Sequence, residues 1–343
     1  MKSEGDKHRA VTMRDVAEAA GVSVSTVSHV VNDTGARIGQ DARARVRRAI
    51  DDLGYRPNAM AKNLVKGKSR FLGLVADAIA STPFAGQIIH GAQEEAWRHG
   101  YVLLIANTEG NRDAEASAIA MMLEHKVRGI LYSTWYHRAV EPPAGLTESD
   151  TVLVNCYSAD GALPAVVPDE TAGGHDATRM LVDAGHRRIA FLNTSTPSPA
   201  QEGRLEGYRL ALSANGLPFD PDLVVEVRPD QEGGHAAVDQ VLAMRATGVF
   251  CHNDRVAMGL YVGLRDRGLR VPEDLSVVGF DNQEVIAAHL RPALSTVALP
   301  HYELGRLGVR SLLRLDPPAG NGPLVVACPS VPRDSITRPH ARD

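Results

Sequence analysis

A scattered set of residues carries the chemistry that invites a ligand: Asp77, Phe84, Asn107, Ser133, Trp135, Tyr136, Asn155, Asp169, Arg204, Asn253 and Asp281. The set mixes carboxylates, amides, a hydroxyl, a guanidinium and aromatic rings. Carboxylates and amides pair with vicinal hydroxyls while aromatic faces cover the apolar side of a ring, so the mixture suits a polyhydroxylated small molecule. Catalysis fits less well. No GxGxxG follows the first expected core strand, no GxSxG elbow occurs, and nothing marks Asp169 and Asp281 as an acid–base pair. Gly173-Gly174 and Gly233-Gly234 begin helical stretches, but a lone glycine pair is weak evidence for a phosphate loop. No enzyme and no cofactor are expected.

Taken singly, these residues have plainer readings. Asp281, after Gly279-Phe280, is also placed to cap a helix, Asn253 to make a turn and Arg204 to be an exposed helix charge. Trp135 and Tyr136 suit ordinary packing or a dimer contact equally well.

What must position them is an alternation of strands and helices from residue 71 onward. Phe71–Ala76, Val102–Ala106, Gly129–Leu131, Val152–Val154, Ile189–Leu192, Val249–Phe250 and Ser276–Val278 are short apolar runs. Between many of them lie amphipathic stretches, at Gly86–His99, Ala114–His125, Gly173–Ala184, Arg204–Ala214 and Ala257–Arg267. Continuous apolar strands separated by helices imply parallel sheets covered on both faces, an α/β fold. Two such series, roughly 71–168 and 169–298, imply two lobes with a cleft between them, and in open α/β sheets the ligand sits beyond the carboxyl ends of the strands.

The first 70 residues read differently. They hold 14 Lys and Arg against 8 Asp and Glu; of the chain totals of 37 and 41, that leaves 23 against 33 for the remainder. A net charge of −4 therefore hides a basic N-terminal piece, and the asymmetry points to a polyanion partner for that piece alone. Thr12 with Asp15 has the spacing of a capping box, and Val16, Ala17 and Ala20 make an apolar face ending at Gly21. Ser23 is placed to cap a second helix, Val24–Val31, with Val27, Val30 and Val31 inward; the pair forms a helix-turn-helix. A third helix, about Asp41–Leu53, turns Val46, Ile50 and Leu53 inward and Arg43, Arg47 and Arg48 toward solvent. After the break at Gly54–Asn58 come a short helical stretch, Ala59–Val65, and the basic run Lys66–Arg70, where the domain junction is expected.

At 343 residues the chain exceeds the roughly 250–300 that one core organises, so two or three folding units are expected. Cys156, Cys251 and Cys328 are widely spaced and lack metal-ligand grouping, which leads us to expect a reducing cytoplasm and no metal. The N-terminus lacks the apolar run of a signal peptide, and nowhere do ~18 apolar residues run together, so a cytoplasmic protein without membrane contact is expected.

The segments 11–32 (VTMRDVAEAAGVSVSTVSHVVN), 54–58 (GYRPN), 185–191 (GHRRIAF), 204–208 (RLEGY), 253–259 (NDRVAMG) and 271–281 (VPEDLSVVGFD) resemble, almost position by position, the lactose-repressor (LacI-type) family of bacterial regulators. The resemblance spans nearly the whole chain. It implies a helix-turn-helix headpiece at 1–56, a hinge helix and linker at 57–70, and an effector-binding core at 71–343 similar to periplasmic sugar-binding proteins. Within the core it places one lobe at about 71–168 and 299–327 and the other at about 169–298 and 328–340.

The implied function is sequence-specific repression from a palindromic operator, relieved by a mono- or disaccharide. A co-repressor that tightens binding, as in purine-responsive relatives, is the alternative. A transported-sugar binding protein shares the core fold but not the headpiece. A homodimer is implied, and the tail 329–343, with three prolines and no heptads, offers no helix for a tetramer.

By the same resemblance Val24, Ser25 and His29 face base edges in the major groove. There Val24 suits a thymine methyl and Ser25 several bases, while His29, where the family commonly has Arg, offers only one donor to guanine. Thr12, Ser28, Asn32, Tyr55 and Asn58 fall among the DNA-contacting positions, phosphate contacts fixing register, and Leu64 matches the leucine that wedges into the minor groove. Arg204, Asn253 and Asp281 match effector-holding positions, and Asn155 does so more loosely. At Val227–Gln231, where some relatives place an aromatic over the ligand, this chain offers Pro229, so Phe84, Trp135 and Tyr136 are the expected stacking faces.

Overall fold

The computed structural model describes residues 11–32, 37–55, 69–80, 82, 84–316 and 322–339. The expected hinge stretch, with Asn58 and Leu64, lies outside the described residues. The chain divides into two units, Met1–Arg70 and Phe71–Asp343.

In the first unit three helices, α1 (Met13–Ala20), α2 (Val24–Asn32) and α3 (Gln40–Leu53), pack on Val16, Ala17, Ala20, Val27, Val30, Val46, Ala49 and Tyr55. The capping box is closed: Thr12 N–H donates to Asp15 Oδ2 at 2.7 Å while Asp15 N–H donates to Thr12 Oγ1 at 3.4 Å. Gly21 ends α1 at φ 61, a left-handed turn that glycine enters without a Cβ penalty. Ser23 Oγ accepts from Thr26 N–H at 3.1 Å and so starts α2. One inward assignment fails. Leu53 is 38% exposed, because α3 ends there at Gly54 and the inward face is completed by Ala49 and the following Tyr55.

The second unit has two six-stranded sheets. In chain order the strands are β1 (Phe71–Ala76), β2 (Val102–Asn107), β3 (Ile130–Val140), β4 (Thr151–Ser158), β5 (Ala165–Pro168), β6 (Ile189–Thr194), β7 (Val224–Val227), β8 (Gly248–Cys251), β9 (Ser276–Asp281), β10 (Ser295–Ala298), β11 (Leu324–Val326) and β12 (Ser330–Val331). The first sheet runs β11-β5-β4-β3-β1-β2 and is parallel throughout. The second runs β12-β10-β9-β8-β6-β7 and is parallel except for β12 against β10. The chain thus passes from the first sheet to the second after β5, and again between β11 and β12; β11 closes one sheet edge and β12 the other.

Helices cover both sheets: α4 (Gly86–Arg98), α5 (Arg112–Glu124) and α12 (His301–Leu312) the first, α6 (Glu170–Asp183), α7 (Pro199–Ala214), α8 (Gln231–Ala236), α9 (Val238–Ala243), α10 (Asp254–Asp266) and α11 (Glu284–Ala287) the second. Strands β5, β7, β10, β11 and β12 and helix α12 are not among the expected segments; the strands hold two to four residues each, too few to show a period. Two helix contacts shape the second layer. A Cβ on Gly207 of α7 would stand 2.2 Å from Thr171 O, and one on Gly174 of α6 2.6 Å from Arg204 Cα. The helices therefore meet backbone to backbone, which brings Arg204 beside Glu170. No helix among the described residues is long and apolar enough to cross a membrane.

Candidate effector cavity and nucleic-acid interface

A cavity of about 280 Å³ opens beyond the carboxyl ends of both sheets, and it takes residues from each. Small-molecule sites run from roughly 300 to 1,000 Å³, so this one suits a single ring better than a chain of them.

On the first sheet the cavity wall comes from β3 after Ser133, where the pairing with β4 shifts register between Ser133 and Arg138. The shift turns Trp135, Tyr136 and His137 into the cavity. Asp77 fixes this turn: its carboxylate accepts from Trp135 N–H at 2.9 Å and Arg138 Nη2 at 3.2 Å. Asn155, at φ 59, donates through Nδ2 to Thr134 O at 3.0 Å and leaves its Oδ1 buried with no partner among the described residues. Phe84 and, beside Trp135, Tyr136 supply aromatic faces, Trp135 and Tyr136 meeting edge to face at 5.0 Å.

On the second sheet Asp169 caps α6 by accepting from Ala172 N–H at 2.8 Å, and Glu170 follows it, buried. His137 Nδ1 donates to Glu170 Oε1 at 3.3 Å and Arg204 Nε to Glu170 Oε2 at 2.8 Å. Burial alone would push the Glu170 carboxyl up; the Arg204 charge and the His137 hydrogen bond overcome it and hold the group at about 2. Arg204 is held through its Nε, its Nη1 and one face. Its Nη1 donates to His252 O and lies 3.7 Å from Asp281, and its guanidinium covers the Phe280 ring at 3.7 Å. Asp281 ends β9 at φ 104, and burial, against the pull of Arg204, pushes its carboxyl up to about 6. A non-glycine residue held at positive φ costs of order 1–3 kcal/mol and is a mark of functional sites. Asn253 caps α10, accepting from Val256 N–H at 2.9 Å and donating to Pro229 O at 3.1 Å. Burial drives the His252 and His301 rings below the usual histidine range, His301 to about 4.

A chain of polar contacts thus runs from His137 on one sheet through Glu170 and Arg204 to Asp281 on the other. Among the expected residues Phe84, Trp135, Tyr136, Asn155, Arg204, Asn253 and Asp281 line the cavity. The others do not. Asp77 supports the β3 turn from behind, and Ser133 is wholly buried with its hydroxyl on Val154 O at 2.8 Å. Asn107 accepts from Ala80 N–H at 3.3 Å, and Asp169 serves as a helix cap.

In the first unit Val24, Ser25 and His29 are exposed on α2, Val24 at 45%. Ser28 Oγ accepts from Asn32 Nδ2 at 3.3 Å. Tyr55 packs into the small core, where burial raises its hydroxyl pKa.

Residues 12–58 match the bacterial regulatory proteins of the lacI family, and residues 178–336 match a periplasmic binding protein-like domain. The ribose operon repressor of Haemophilus influenzae is 33% identical over 330 residues, covering 95% of this chain and 98% of that one. The chain belongs to the lacI family of bacterial regulatory proteins. Among solved structures of this family, the lac repressor dimer bound to operator and the anti-inducer ONPF is 26% identical with a TM-score of 0.78, over 96% of this chain and all of that one. A complex of the transcriptional regulator CelR with cellobiose is 28% identical with a TM-score of 0.65, over 95% and 99%.

As a lacI-family protein, the chain is a DNA-binding transcriptional regulator with a periplasmic-binding-protein-like α/β core. The cavity also holds side chains that the sequence did not single out: His137, Glu170, Thr194, Thr196, Ser198, His252 and Arg255. His137 lies within the unexpected extension of β3, Glu170 follows the unexpected β5, and Thr194, Thr196 and Ser198 follow β6, which runs two residues past its apolar stretch. Arg255 stands two residues after Asn253 in NDRVAMG, and a charge in the first turn of a helix gave no sign of facing inward. Among the described residues no group of three His, Cys, Asp or Glu is placed to hold a metal.

Proposed function

We propose that this protein acts in the cytoplasm as a homodimeric repressor of carbohydrate-utilisation genes. A small sugar-like effector in the cavity between the two sheets releases it from a palindromic operator. The observation that carries this reading is the His137–Glu170–Arg204–Asp281 chain across the cavity, whose walls keep buried polar atoms without partners at Asn155 Oδ1 and His137 Nε2. Asn155, Asn253 and Asp281 serve ring hydroxyls, while Phe84, Trp135 and Tyr136 cover the ring face; Asp77 and Ser133 support the wall.

An effector that bridges the wall groups changes how the lobes 71–168 with 299–327 and 169–298 with 328–340 close on each other. Operator affinity then changes by a coupling of about 1–3 kcal/mol. The headpiece, about 1–56, reads DNA through Val24, Ser25 and His29 with phosphate contacts from Thr12, Ser28, Asn32 and Tyr55, and the hinge at 57–70 carries Asn58 and Leu64. No reaction is assigned to the cavity.

The test is selection of bound DNA from a random pool, followed by electrophoretic binding assays with a panel of mono- and disaccharides. A recovered palindrome whose retention one sugar weakens supports the reading; no sequence-selective binding overturns it. A second reading, a ligand that tightens operator binding, draws support from the lac repressor relative solved with operator and an anti-inducer together. The same assay separates the two by the sign of the change.

A further inference from the structure

We propose that the effector carries an oxyanion, a carboxylate or phosphate ester on its sugar frame, and that Arg255 receives it. The inference rests on the reading of the cavity as an effector site.

Most charges in the cavity already have partners. Glu170 and Arg204 pair at 2.8 Å with both side chains buried, and the remaining reach of Arg204 goes to His252 O, Asp281 and the Phe280 ring. The Arg204 charge is thus already balanced by Glu170. Arg255 differs. It lines the same cavity, makes no ion pair or hydrogen bond among the described residues, and keeps its Nε wholly buried without a partner. A buried N–H of a charged group that lacks an acceptor is costly, and a charged acceptor is what relieves it best.

The surroundings favour the same ligand chemistry. Arg255 stands in the first turn of α10, where the helix end carries partial positive charge. Thr194, Thr196 and Ser198 also line the cavity. Thr194 Oγ1 accepts from Thr196 N–H at 3.1 Å and Ser198 Oγ accepts from Gln201 N–H at 3.1 Å, so both hydroxyl hydrogens stay available to donate. A guanidinium with hydroxyl donors, next to the first turn of one helix and the cap of another, is a set of donors that no carboxylate among the described residues hydrogen-bonds, although Asp281 and Asp230 feel the Arg255 charge from a distance. It matches the needs of a carboxylate or phosphate. Asp281 and Asn155 on the same cavity are left to accept from sugar hydroxyls.

The experiment uses the full chain and matched probes: D-glucose, D-glucuronate, D-gluconate and D-glucose 6-phosphate, with D-ribose and D-ribose 5-phosphate as the pentose pair. Dissociation constants are measured by calorimetry at two salt concentrations. At least one anionic probe is expected to bind about tenfold to a hundredfold tighter than its neutral parent, the range of a charge-assisted hydrogen bond, and the acid and phosphate arms tell the two oxyanions apart. Arg255→Gln is expected to reduce that ratio about tenfold or more and Arg255→Lys to keep most of it; thermal unfolding of each variant shows whether it folds. Neutral sugars binding as tightly as their anionic partners, or a ratio unmoved in a folded Arg255→Gln protein, overturns the inference and leaves the sugar-effector reading standing. Binding of none of the probes overturns both.

Discussion

The Nε of Arg204 lies 2.8 Å from Oε2 of Glu170, and each side chain is about 4% exposed. Removing one partner leaves the other charge buried and alone, so Arg204→Ala is expected to lower the unfolding free energy by about 3–5 kcal/mol. The double variant Glu170→Gln, Arg204→Met, which removes both charges, is expected to cost less than the sum of the single changes. Urea unfolding followed by circular dichroism checks both. The Glu170 carboxyl sits at about 2, below its ordinary value of 4.5, so the native state holds fewer protons than the unfolded one in that interval. Its stabilisation is therefore complete above about pH 4.5 and is lost as pH falls toward 2.

Asp281 has the opposite sign. Burial raises its carboxyl to about 6, so the folded protein binds a proton more readily than the unfolded chain, and keeping the group ionised costs stability above pH 6 that is recovered as pH falls toward 3.8. Effector hydroxyls that donate to the carboxylate compete with that proton. Affinity for the effector is expected to be level above about pH 7 and to weaken as pH falls through 6, a step that Asp281→Asn removes along with much of the affinity. Calorimetric titration at pH 5.0, 6.0 and 7.5 with the selected sugar is the check; an unchanged dissociation constant across that range refutes the role given to Asp281.

Much of this was legible in the sequence, and the reasons differ by region. The headpiece could be read nearly residue by residue because caps, turn glycines and apolar spacing are local, as at Thr12, Gly21 and Ser23. The long strands were legible because they are apolar throughout. Strands as short as Ser330–Val331 owe their existence to partners far along the chain and leave no local trace. In the cavity the residues following expected strands were found in part. Asp77 and Ser133 were misplaced because β3 continues beyond Ser133 and turns its next residues inward instead. Glu170 was missed because a carboxylate in the first turn of a helix looks like ordinary dipole complementarity until Arg204 and His137 are seen around it.

The backbone contact between α6 and α7 predicts that Gly207→Ala is severe for so small a change. The added methyl would lie 2.2 Å from Thr171 O and 2.4 Å from His175 N, neither of which can swing aside. The helices must separate, and with them Glu170 and Arg204. We expect a loss of about 1–3 kcal/mol, the usual cost of overpacking, together with weakened effector binding. Thermal unfolding and sugar titration on the same variant test whether the two effects travel together.

In the headpiece, Thr12→Ala opens the capping box and is expected to cost about 1 kcal/mol of headpiece stability, with operator affinity falling at all sequences alike. Val24→Ala, on an exposed helix face, is expected to leave the fold intact and relax discrimination at one base pair per half-site by up to about 1–3 kcal/mol. Repeating the DNA selection with each variant distinguishes them: a uniform loss for the first, a changed logo position for the second.

The passage of the chain back and forth between the two sheets also sets the order in which the molecule can be completed. Strand β5 ends at residue 168, yet its outer neighbour β11 begins at 324. At ~5–20 residues per second a ribosome needs roughly ten to thirty seconds to cover that interval, and throughout it the nascent first lobe shows an unpaired edge to other chains. The helix-turn-helix needs only the first 55 or so residues, with its own small core. During synthesis the part that reads DNA is finished well before the part that governs it, and chaperone demand falls on the lobe that waits for its last strand.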